Sequence, residues 1–134
     1  MKFNIILAFI LLLATNIVAV PLDSNFLHAI NMVEASGRQG DIHGDHGKAL
    51  GGYQIHKPFW KDAVEYDPSI GGSYSDVTNK EYAEKVVTAY LNRYAKKAII
   101  AHDYKTLAGK FHRGKDNEKY WLRVKTNLEK TTHR

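Results

Sequence analysis

The chain predicts an α+β fold, mostly helical, with a small glycine-rich β region after the first helix. Apolar residues recur at helical spacing in several separate windows. Residues 38–52 break that pattern with five glycines, a density that marks turns and tight backbone approaches. The length, 134 residues, fits one domain, in which helices surround a small sheet.

The elements follow in order. Lys2 precedes an apolar run from Phe3 to Ala14 and a less apolar stretch to Ala19, the layout of a secretory signal peptide (residues 1–19). The run is short for a membrane span, which needs about 20 apolar residues. The expectation is therefore a secreted chain cut near Ala19, without stable membrane insertion, and a single domain over residues 20–134. "DSNFLHAINMVEASG" reads as a helix: Asp23 or Ser24 caps it, Phe26, Ile30 and Val33 share a face, and Gly37 ends it. "YQI" reads as a short strand, and "HKPFWKDAVEY" as a helix with Pro58 in its first turn. Thr78 and Glu81 have the spacing of a capping box before the longest helix, which carries Tyr82, Val86, Ala89, Tyr90 and Tyr94. "DYKTLAGKFHRG" gives a shorter helix closed by Gly114, and "NEKYWLRVKTNLEK" a last one with Tyr120, Trp121, Val124 and Leu128 on one stripe.

Composition removes several classes. There is no cysteine, so disulfides, thiolate metal sites and cysteine nucleophiles are excluded. The net charge of +5 favours polyanionic partners, but the lysines and arginines are scattered rather than clustered. The aromatic residues fall at core spacing, so nucleic acid is not expected. Asp41, His43, Asp45 and His46 alternate in a glycine-rich loop without a recognised metal-ligand spacing, so neither a metal nor another cofactor is expected. Ser36 lacks the glycine elbow of a serine hydrolase. The expectation is a monomer.

Glu34 is the residue that carries chemistry. A carboxyl in a helix's last turn faces the negative end of the helix dipole and here borders Ile30 and Val33. Both effects disfavour ionisation, and a carboxylic acid that keeps its proton near neutral pH serves as a general acid. The loop that follows offers Asp41 or Asp45 as an ionised partner. Two acids whose surroundings drive their pKa values apart are the machinery of a glycosidase, a logic for which lysozyme is the standard worked example.

The segment "VEASG…GDHGKALGGYQIHKPFWKDA" resembles the active-site region of lysozyme-like glycoside hydrolases, the invertebrate-type lysozymes most closely. Glu34 precedes Ala35-Ser36-Gly37, Asp45-His46-Gly47 begins eleven residues after it, and Gly52-Tyr53-Gln54-Ile55, Phe59-Trp60 and Asp62 follow in the family's order. "KFHRG" and "YWLRV" resemble later family motifs, with Arg113 in place of an asparagine. The resemblance spans about residues 25 to 130. It implies a lysozyme-like fold and hydrolysis of the β-1,4 bond between N-acetylmuramic acid and N-acetylglucosamine in the peptidoglycan strands of bacterial walls. Glu34 would be the acid, Asp45 the nucleophile or electrostatic partner, and Ser36, Tyr53, Gln54 and His112 would contact substrate. Two departures stand out: the family is rich in disulfides, and the "GGYQI" here lacks its phenylalanine. Lytic transglycosylases, which need the glutamate alone, and a non-catalytic glycan binder are the alternatives.

Overall fold

The computed structural model describes residues 18–133; the apolar run Phe3–Ala14 of the expected signal peptide lies outside them. The elements are α1 (Ser24–Ala35), β1 (His43–Gly44), β2 (Ala49–Leu50), β3 (Ile55–His56), α2 (Lys57–Tyr66), α3 (Lys80–Ile100), α4 (Tyr104–His112) and α5 (Asn117–Thr132). Three short 3-10 turns lie at Asp45–Gly47, Pro68–Ile70 and Tyr74–Thr78. The result is an α+β domain, mostly helical, with one three-stranded antiparallel sheet in the order β1-β2-β3. Its register pairs His43 with Leu50 and Leu50 with Ile55. None of the described helices is long and apolar enough to cross a membrane.

Local chemistry accounts for the element boundaries. The Asp23 carboxylate accepts the Asn25 N–H at 2.7 Å and starts α1. The helix stops because Ser36 (φ 55°) and Gly37 (φ 80°) turn left-handed, and the Ser36 N–H folds back onto the Met32 carbonyl at 3.1 Å and the Gly37 N–H onto the Asn31 carbonyl at 3.4 Å. Three details differ from the sequence reading. The strand expected at "YQI" is only Ile55–His56; Tyr53 and Gln54 form the turn before it, with Gln54 at φ 49°. The longest helix is capped by Asn79, which accepts the Tyr82 N–H at 2.9 Å, while the capping box lies upstream at Ser73 and Asp76. Arg113, not Gly114, ends α4 in the left-handed conformation.

α3 is the axis of the packing, with α2 and α4 both against it; α1 packs on α5, and α4 on α5. Phe26, Ile30, Leu91, Leu107 and Val124 are fully or almost fully buried. An aromatic seam crosses this interior. Phe59 stacks on Tyr90 with centroids 3.7 Å apart, meets Phe111 edge-on at 5.5 Å, and Phe111 lies 6.5 Å from Tyr120. Stacked and edge-on aromatic pairs contribute beyond their buried area. Without disulfides, packing of this kind holds the fold.

Two buried asparagines fasten chain segments that have no regular pairing. Asn92 of α3 accepts the Val20 N–H and donates to the Val20 carbonyl, both at 2.9 Å. Asn31 of α1 donates to the Arg38 carbonyl at 2.8 Å and the Gly52 carbonyl at 2.9 Å. Asn31 thus ties the glycine-rich loop to the helix that carries Glu34. The approach requires glycine at 52: a Cβ there would meet the Arg38 carbonyl at 2.7 Å and the Gln39 side chain. Gly51 combines φ +77° with a Cβ position blocked by the Val77 carbonyl, so both requirements fall on one residue.

Candidate functional site

The ends of α1, α4 and α5 meet β3 and the start of α2 around a cavity of about 560 Å³, within the size range of small-molecule and sugar sites. Its lining includes Glu34, Gln54, His56, His112, Arg113 and Tyr120. Val33, Ile55, Phe59 and Phe111 give it an apolar floor.

Glu34 is half-buried there, one turn beyond Asn31. The Tyr120 hydroxyl donates to its Oε1 at 2.9 Å. Burial pushes the Glu34 carboxyl above the usual carboxylate range; the Tyr120 hydrogen bond and the Arg123 charge pull the other way without cancelling it. Tyr120 itself, almost wholly buried, is held well above the ordinary phenol range by burial and by Glu34, and so acts as a fixed donor. The His112 ring stacks on Tyr120, with centroids 4.1 Å apart and planes 6° apart. Burial lowers the pKa of His112, and Arg123 adds to the effect. Arg123 donates to the Val33 carbonyl at 3.1 Å, next to Glu34 in the chain. The arrangement suits a proton donor: one acid with a disfavoured anion, held by a hydroxyl, beside an open cavity.

The other sequence-derived residues divide. Gln54 and His112 line the same cavity as Glu34. Asp45 does not line it. Its carboxylate is half exposed, and Oδ2 lies 3.6 Å from Nε2 of His56, which does line the cavity. Asp45 therefore stands at the edge of the site, one side chain removed. Asp41 points elsewhere, its Oδ1 2.7 Å from Nε2 of the exposed His43. Ser36 is the exposed C-cap of α1 and lies outside the cavity lining.

Tyr53, expected to contact substrate, is instead a core residue with 1 % exposure. Its hydroxyl donates to Oε1 of Glu84 at 2.8 Å, and it lies in the turn before β3 rather than in a strand. Among the described residues, no group of three or more histidines and carboxylates stands close enough to hold a metal ion.

Sequence reasoning missed Tyr120 and Arg123 as site residues, reading Tyr120 as packing alone. They lie 86 and 90 positions from the α1 residues they touch. The one available signal was the "YWLRV" motif. Nothing in the sequence marked His56.

The chain was compared with protein-family models, curated proteins and solved structures, and none of them matches it.

Proposed function

We propose that the protein is a secreted, lysozyme-like peptidoglycan hydrolase that cleaves the β-1,4 bond between N-acetylmuramic acid and N-acetylglucosamine. The observation that carries this reading is the state of Glu34: a half-buried carboxyl with its pKa raised, hydrogen-bonded by Tyr120, on the wall of a sugar-sized cavity. The motif order in the sequence supports the same conclusion.

In this mechanism Glu34 gives its proton to the glycosidic oxygen as the bond from that oxygen to the anomeric carbon breaks. Positive charge develops on the sugar ring, and the Asp45 carboxylate, beside His56, stabilises it or bonds to the anomeric carbon. Water then attacks that carbon, displacing the Asp45 carboxylate where a bond to it had formed, and passes its proton to Glu34, which ends the cycle as it began. Tyr120 keeps the Glu34 carboxyl aimed, and Gln54 and His112 border the sugars.

A second reading uses Glu34 alone, as lytic transglycosylases do; the position of Asp45 outside the cavity lining favours it. Clearing of bacterial-wall suspensions tests both. Glu34→Gln is expected to reduce clearing by roughly 1000-fold or more, in keeping with loss of an acid on which the whole step depends, with wall binding retained. Clearing at the wild-type rate would remove Glu34 as the acid. Asp45→Asn is expected to cost on the order of 100-fold; a loss below about threefold would move the mechanism to Glu34 alone.

A further inference from the structure

The basic residues look scattered in sequence, yet the fold gathers two arginines and two histidines around the cavity: Arg113, Arg123, His56 and His112. Glu34 is the only carboxylate among the lining residues. Among the described residues, neither Arg113 nor Arg123 has a carboxylate partner within ion-pair distance, although Arg93, away from the cavity, is paired with Glu65 at 3.3 Å. Each cavity arginine makes one other contact. The Arg113 guanidinium lies 5.8 Å from the centre of the Tyr90 ring, and Tyr90 is itself stacked on Phe59. Arg123 donates one hydrogen bond to the Val33 carbonyl. A guanidinium has five N–H donors in a planar fork that matches a carboxylate. Two exposed arginines with donors to spare, lining a cavity whose own acid resists ionisation, form a receptor for negative charge.

We propose that the cleft recognises carboxylates carried by its glycan strands, through Arg113 and Arg123, both of which line it, and so selects an acidic wall glycan over neutral chitin. The proposal rests on the reading of the cavity as a glycan site and adds the property of the sugar chain that the site selects. Arg113 is the better probe, because Arg123 also steadies the backbone beside Glu34. Arg113 is exposed and left-handed (φ 57°), a conformation that asparagine accepts readily, so Arg113→Asn removes the charge and leaves the end of α4 intact.

The test measures binding rather than turnover. The Glu34→Gln protein is sedimented with insoluble peptidoglycan sacculi, with the same sacculi after carbodiimide amidation of their carboxylates, and with colloidal chitin. Native sacculi are expected to bind on the order of tenfold more tightly than amidated sacculi or chitin, the scale of a charge-assisted contact. Arg113→Asn in the same background should remove most of that preference. Lys96→Asn, an equal loss of charge at an exposed α3 position outside the cavity, should retain it, which separates a local contact from the attraction of a basic protein for an acidic wall. Equal binding to all three materials would overturn the proposal. So would a preference that survives Arg113→Asn, or one lost as fully with Lys96→Asn. These outcomes are independent of the acid assignment, which stands or falls on wall clearing by Glu34→Gln.

Discussion

Glu34 carries a cost to folding, and its cause, burial, is also what suits it to the proposed role of acid. Burial raises its folded pKa above the value in the unfolded chain. Below the unfolded value the group is protonated in both states and contributes nothing that depends on pH. As pH rises past that value, the unfolded chain loses the proton freely and the folded one resists, so stability falls until the folded pKa is passed and stays lower beyond it. Glutamine keeps the shape and the acceptor for Tyr120 but has no ionised form. Glu34→Gln should therefore melt above the wild type at pH 7 and closer to it at pH 4. Thermal unfolding at the two pH values measures this. A variant that melts lower at pH 7 would mean that the Tyr120 and Arg123 contacts outweigh burial and that Glu34 is an ordinary ionised carboxylate.

At the scale of the element, the junction between α1 and the glycine-rich loop decides whether Glu34 meets the rest of the site. Asn31 makes that junction with two hydrogen bonds, and it is 4 % exposed. Asn31→Leu would keep the branching of the side chain, with larger end groups, but leave the Arg38 and Gly52 carbonyls without the Asn31 donor, at a cost of roughly 2 kcal/mol by urea unfolding. Because the loop continues into Gln54 and His56, the variant should also lose wall clearing at temperatures where it remains folded. Full activity would show that the loop holds its place without α1. The sequence reveals one half of this junction and conceals the other. The periodicity of Phe26, Ile30 and Val33 places Glu34 at a helix end, and the glycines announce a loop. Asn31 carries no such mark, since a polar residue in an amphipathic helix normally reads as solvent-facing, and its partners are backbone carbonyls that every residue has. Tyr53 misleads for a related reason: a tyrosine beside a candidate acid suggests a cleft residue, but the left-handed Gln54 turns the chain so that the ring packs inward. Arg113, Arg123 and His56 come together only through packing of elements far apart in sequence, which local patterns cannot express.

For the whole molecule, the question is whether the cleft can fail before the core does. Its lining comes from α1, β3, α2, α4 and α5, and the floor residues Phe59 and Phe111 also belong to the buried cluster that unites the described domain. No disulfide is available to hold one part of the site while another opens, because the chain has no cysteine. A site made from the ends of elements that share one core has little local stability of its own, so it should be lost in the same transition as the fold. Wall clearing after brief heating and the helical circular dichroism signal at matched temperatures should fall together, unchanged by reducing agent. Val124→Ala, which empties part of the core beneath α5 without touching the cleft, tests the coupling: Val124 is 0 % exposed, and its truncation should cost about 1–3 kcal/mol. Both curves should then move down by the same several degrees. Activity lost well below the structural transition would instead mean that the cleft opens as a separate unit, with its geometry set by the loop after α1 rather than by the helices it joins.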